Sequence, residues 1–184
     1  MLLTDQAALL FRQAQENLIL FADNIWWHLY NLACVPDISG GRYTVDGKLE
    51  LLSTGVEIFR LIFGDEPLFY ADRLANSCRQ MALLYMEKGD TDAALEQIER
   101  MADYAVAYDR RPAEAVYGSA LINRVTYSRA ADGTERHTDP DAGKCARLLP
   151  HLTGSRVFAP LQDHPRFRAA VGRMTDCAAG NPIK

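Results

Sequence analysis

The sequence has little of what marks an enzyme, a secreted protein or a membrane protein. No apolar run approaches the roughly 20 residues that a bilayer-spanning helix needs, and the N-terminus lacks the basic stretch that opens a secretion signal. The four cysteines, Cys34, Cys78, Cys145 and Cys177, are scattered with no CxxC pair, so neither a disulfide framework nor a zinc knuckle is signalled. Buried free thiols are expected instead. His28, His137, His151 and His164 form no Glu-x-x-His or His-x-x-x-His pair, which leaves a metal site nothing to start from. "YGSAL" at 117–121 lacks the second glycine of a nucleophile elbow, and Gly40 and Gly41 are loop glycines with no phosphate-binding pattern around them. These absences speak against an enzyme, require no cofactor or metal, and make the cytoplasm the expected location.

Charge is present but unevenly placed. Residues 1–109 carry 8 Lys and Arg against 17 Asp and Glu, a net −9, whereas residues 110–184 carry 12 against 7, a net +5. An acidic front half repels a phosphate backbone, and the basic tail is too diluted with acids to make a nucleic-acid footprint. With 184 residues, 48% of them apolar, the chain can build one continuous core, and a single domain over 1–184 is expected.

Helical periodicity runs through most of the chain. Leu3, Ala7, Leu10, Phe11, Ala14 and Leu18 recur every three or four residues and predict an amphipathic helix over 2–20. A second helix is expected over 23–34, capped by Asp23. Residues 35–47, with a proline and three glycines, read as a loop. Thr44 is placed to cap a helix running to about Phe63, although Gly47 stands where a capping box would want Glu. Further helices are expected over 67–88, ended by Gly89, and over 91–109, capped by Asp90. A helix over 113–129 follows, although "LINRVTYS" also reads as a strand. Residues 130–143 form a polar loop, and two short helices, near 141–149 and 164–178, belong to a capping region over 144–184.

The order of these patterns suggests a repeat. The second helix of a tetratricopeptide unit asks for A-x3-F, which Ala7-x3-Phe11, Gly55-x3-Phe59 and Ala94-x3-Ile98 approximate. The small first residue is needed where two helices cross closely. First-helix patterns occur at Trp26-x2-Leu29-Tyr30-x2-Ala33 and Cys78-x2-Met81-Ala82-x2-Tyr85. A plain antiparallel bundle also places apolar residues at such spacings, but the alternating order favours an all-α, tetratricopeptide-like array of helical hairpins, an α-α superhelix. Residues 2–20 would then be the second half of a unit whose first half is missing, as in a half-repeat cap or the C-terminal part of something longer.

"YMEKGDTDAAL" at 85–95 with "AVAYD", "YGSALINRVTYS" and the closing "FAPLQDHPRF" resemble the tetratricopeptide-like C-terminal region of XRE-type helix-turn-helix transcriptional regulators, over roughly residues 20–175. The resemblance implies a right-handed array that senses a ligand or dimerises, and relays a change of curvature to a DNA-binding module. This chain contains no such module, so contact with nucleic acid is not expected from it directly. A homodimer is implied, since these solenoids often pair.

The first helix of each such hairpin lines a concave groove, and its open positions are Asn24, Trp27 and Asn31 in the first unit and Asn76, Arg79, Leu83 and Met86 in the second. Asn at matching positions suits the backbone of an extended peptide, because an amide both donates and accepts. Arg79 suits a carboxylate and Trp27 an apolar side chain. Asn123, Arg124 and Tyr127 are placed at the border of the same groove. The bland reading of the asparagines is ordinary helix surface, and of Trp27 core. The expected partner is a peptide, a small molecule or a protein in the groove, with no membrane involved. The alternatives are a stand-alone scaffold that binds a protein, and an enzyme built on a helical bundle.

Overall fold

No glycine or proline interrupts residues 2–34, and the chain stays helical throughout them. In the computed structural model, which describes residues 2–128 and 143–180, they form one helix, α1 (Leu2–Cys34), about 50 Å long at 1.5 Å per residue. This corrects the expected break near residue 21. Asp23, expected as a cap, sits mid-helix and holds an arginine of another element. Val35 and Pro36 end α1, because a proline disfavours helical geometry in the residue before it. A single turn, α2 (Pro36–Ser39), follows within the expected loop.

The next three elements match expectation closely. Helix α3 (Val45–Phe63) begins where Thr44 Oγ1 accepts from the Gly47 amide at 3.2 Å. A 3₁₀ turn (Leu68–Tyr70) leads into α4 (Ala71–Glu87). Gly89 adopts φ 76°, a left-handed conformation that glycine reaches without a Cβ penalty. The Asp90 carboxylate accepts from the Ala93 amide at 3.0 Å and starts α5 (Thr91–Asp109).

A helix over 113–129 is not formed. Strands β1 (Glu114–Val116) and β2 (Thr126–Ser128) pair antiparallel, with Ala115 opposite Tyr127. The strand reading of "LINRVTYS" therefore holds for its end. Val125, Thr126 and Tyr127 are β-branched or aromatic, and such residues fit a pleated, half-buried surface. Residues 130–142 of the polar loop lie outside the described residues. Helix α6 (Lys144–Thr153) runs four residues beyond the expected end, carrying Pro150 within it, and α7 (Pro165–Ala178) matches expectation.

The chain is thus largely helical, with one two-stranded hairpin among the described residues. Helix α1 packs along α3, α3 along α4, α4 along α5, and α5 against α6 and α7. The core follows the expected small-residue positions. Ala94, Ile98 and Met101 are fully buried, as is Phe59. A Cβ on Gly55 would come within 3.1 Å of Trp26 Cδ1, so the Trp26 ring lies directly on the α3 backbone. Of the three A-x3-F matches, the first is the exception: Phe11 is 61% exposed.

Candidate functional site

The site begins with the way α1 and α4 lie together. Arg73 Nε donates to Asp23 Oδ1 at 3.1 Å, Trp26 Nε1 to Ser77 Oγ at 2.9 Å, and Gln80 Nε2 to the Tyr30 hydroxyl at 3.2 Å. The partners are separated by 50, 51 and 50 residues, so the two helices run in the same direction in a constant register. Arg73 is the pin of this contact. It also pairs with Asp72 at 3.0 Å, and its guanidinium lies 5.5 Å from the Trp26 ring centre and 5.0 Å from that of Phe69. Burial alone would lower its pKa; Asp23 and Asp72 outweigh that and raise it, as expected for a cation held between two anions and two ring faces.

The residues expected in a groove divide into an open half and a filled half. Asn24 and Trp27 are exposed, and with Asp23 and Arg73 they line a cavity of about 330 Å³. Trp27 is 57% exposed, whereas its neighbour Trp26 is 2% exposed and belongs to the core. Asn31, one turn on, is half-buried. On α4 the face is occupied. Asn76 Oδ1 accepts from Lys144 Nζ at 3.0 Å, and Leu83 and Met86 pack against the core. Arg79 is half-buried beside Tyr30 and Cys34.

Asn123 and Arg124 meet a different part of α1. Gln15 Oε1 accepts from both of their backbone amides, at 3.1 and 2.8 Å, and Gln15 Nε2 donates to Asn123 Oδ1 at 3.1 Å. The Arg124 guanidinium stands 5.6 Å from the Phe11 ring centre. They tie α1 to the loop before β2. Tyr127 is buried, and its hydroxyl accepts from Arg111 Nε.

Two polar clusters joining α6 to the rest of the molecule gave no sequence signal, because their members are distant in the chain. Lys144, 6% exposed, pairs with Asp72. Burial would raise the Asp72 carboxyl, but Lys144 and Arg73 hold it below its ordinary value. Burial also pulls the Lys144 ammonium below its ordinary value despite Asp72. The two partners thus move in the same direction, and for Lys144 desolvation is the stronger influence. In the second cluster, Asp109 accepts from the backbone amides of Lys144 and Cys145 and so caps α6 from the end of α5.

Cys145 and Cys177 lie within 4.8 Å of the Asp109 carboxylate and of each other, and among the described residues this is the group with ligand atoms gathered closely enough for a metal ion. Its chemistry is that of a cap. Burial, Asp109 and Cys177 all push the Cys145 thiol up, which opposes the thiolate that a metal would need. Burial likewise raises Cys34 to about 11 and Cys78 to about 12. His164, the histidine nearest a role, uses Nδ1 to accept from the Arg166 amide at the start of α7.

No family model matches the chain, and no curated protein or solved structure is matched by it. No helix among the described residues is long and apolar enough to cross a membrane.

Proposed function

We propose that this chain is a partner-binding or ligand-sensing domain of the kind that serves a transcriptional regulator, built as a tetratricopeptide-like array of two helical hairpins, α1 with α3 and α4 with α5. Three observations support the array: the parallel register of α1 and α4, the close approach of Trp26 to Gly55, and the buried small residue Ala94 at the matching position of the second hairpin. The link to a regulator rests on the family resemblance in 20–175. Direct contact with nucleic acid is not part of the proposal, because residues 1–109 carry a net −9.

The observation that carries the binding reading is the setting of Trp27. The Trp26 ring seals the core while the next residue exposes a second indole beside Asn24, over a cavity of about 330 Å³. An aromatic face with a neighbouring amide suits an extended peptide, whose apolar side chain would lie on Trp27 while its backbone pairs with Asn24.

The same indole supplies the assay. Fluorescence of the native chain, titrated with pools of short peptides, should show a saturable blue shift from Trp27 that is absent in Trp27→Phe and weakened in Asn24→Ala. An emission spectrum that no pool changes, together with an unchanged melting temperature, would remove this reading.

A further inference from the structure

Cys145 is the second residue of α6 and Cys177 the last but one of α7. The two helices pack together and against α5. This brings both sulfurs to Asp109 at the end of α5, with all three groups within 4.8 Å of one another. The corner is tightly built. Asp109 accepts from the amides of Lys144 and Cys145, and a Cβ at Gly143 would fall 2.6 Å from its Oδ2, so the chain passes the carboxylate where glycine alone leaves room.

The cap of α6 needs the carboxylate and the two amides, and accounts for neither sulfur. The two thiols also differ. Cys145 is fully buried and Cys177 half-buried, and the Cys145 thiol donates to Asp109 and faces the Cys177 sulfur. Cys34 and Cys78 stand among other groups: Tyr30, Arg79 and Lys48 around the first, and charges of α5 around the second. From their separation in this corner, Cys145 and Cys177 need at most about 3 Å of movement to reach bonding distance, which one χ1 rotamer change at Cys177 supplies.

We propose that Cys145 and Cys177 form an oxidation site, in which hydrogen peroxide converts the two thiols into a disulfide that fastens the start of α6 to the end of α7. Cys177, the one open to solvent, reacts first. Its sulfur takes one peroxide oxygen, the O–O bond breaks, and the other oxygen leaves as water with the thiol proton, giving a sulfenic acid. Cys145 then attacks the Cys177 sulfur. The S–S bond forms, the S–O bond breaks, and hydroxide leaves as water with the Cys145 proton, which Asp109 takes from the thiol and passes on. Two thiols and one peroxide thus give one disulfide and two waters, each sulfur losing one electron to the peroxide oxygens. Burial, Asp109 and Cys177 keep the Cys145 thiol protonated at rest, which suits a thiol that waits for the sulfenic acid instead of meeting the oxidant. Asp109 keeps both amides in either state, so α6 stays capped. The inference does not depend on the Trp27 cavity.

The native chain, treated with a small excess of hydrogen peroxide, tests it by intact mass and by thiol titration after denaturation. The expected product is a single chain lighter by about 2 Da, with two of its four cysteines no longer titrating and both restored by dithiothreitol. A tryptic digest should join the peptide 145–147 to the peptide 174–184. The oxidised chain should melt roughly 5 °C higher than the reduced one. In Cys145→Ser the sulfenic acid has no partner, and a 1,3-dione should label Cys177; in Cys177→Ser the same reagent should leave Cys145 unlabelled. A bridge through Cys34 or Cys78, a bridge between two chains, or oxidation of Cys177 to sulfinic acid with no bridge overturns the proposal. Labelling of Cys145 in Cys177→Ser overturns the order of the two steps.

Discussion

Trp26 and Trp27 are neighbours with opposite duties, and the contrast is measurable. Trp26 is nearly inaccessible, gives its indole proton to Ser77 and packs on Gly55. Trp26→Ala should destabilise the chain by about 3–5 kcal/mol in urea unfolding, as large aromatic truncations in cores do, and Trp27→Ala should stay within about 0.5 kcal/mol of native. Ser77→Ala strands a buried donor and should cost about 1–3 kcal/mol. Gly55→Val should cost about 1–3 kcal/mol, because the added side chain meets the Trp26 ring.

Asp72 offers a test with pH. Its folded pKa is held below the ordinary 3.8 by Lys144 and Arg73 against the opposing effect of burial. The stabilisation is therefore present above that value and lost as the pH falls through the lower folded one. Urea midpoints should drop below about pH 4, and Asp72→Asn should flatten that drop. At neutral pH Asp72→Asn should cost about 3–5 kcal/mol, since it leaves Lys144 buried without its anion. The double change Asp72→Leu with Lys144→Met should cost less than the single one.

Elements were legible in the sequence where a local signal set both ends. Thr44, Gly89 and Asp90 cap or terminate helices by contacts within a few residues, and α3 and α5 appear where those residues place them. The start of α6 was not legible, because its cap, Asp109, comes from 35 residues earlier. Asp109→Ala should cost about 1–2 kcal/mol in urea unfolding, a loss that no local motif around Lys144 would suggest. The break expected in α1 failed for a related reason. Asp23 has the chemistry of a cap, but nothing near it stops a helix, and Arg73 of α4 takes its carboxylate. The β hairpin was visible as a run of Val, Thr and Tyr, yet its pairing depends on Ala115 and Tyr127 meeting across the intervening loop.

The candidate site was legible in part for the same physical reason. Spacing along a helix identified Asn24 and Trp27 as outward-facing, and both line an open cavity. Spacing could not anticipate that Lys144, 68 residues away, would occupy Asn76.

Across the molecule, charge is divided between the two parts of the chain: residues 1–109 hold a net −9 and residues 110–184 a net +5. The indole of Trp27, 57% exposed beside Asn24 over the cavity they line with Asp23 and Arg73, is the contact surface proposed for this chain. Emission of the native chain, titrated with pools of short peptides, decides whether it is one. A saturable blue shift that disappears in Trp27→Phe is the expected result; a spectrum that no pool changes would rule the contact out.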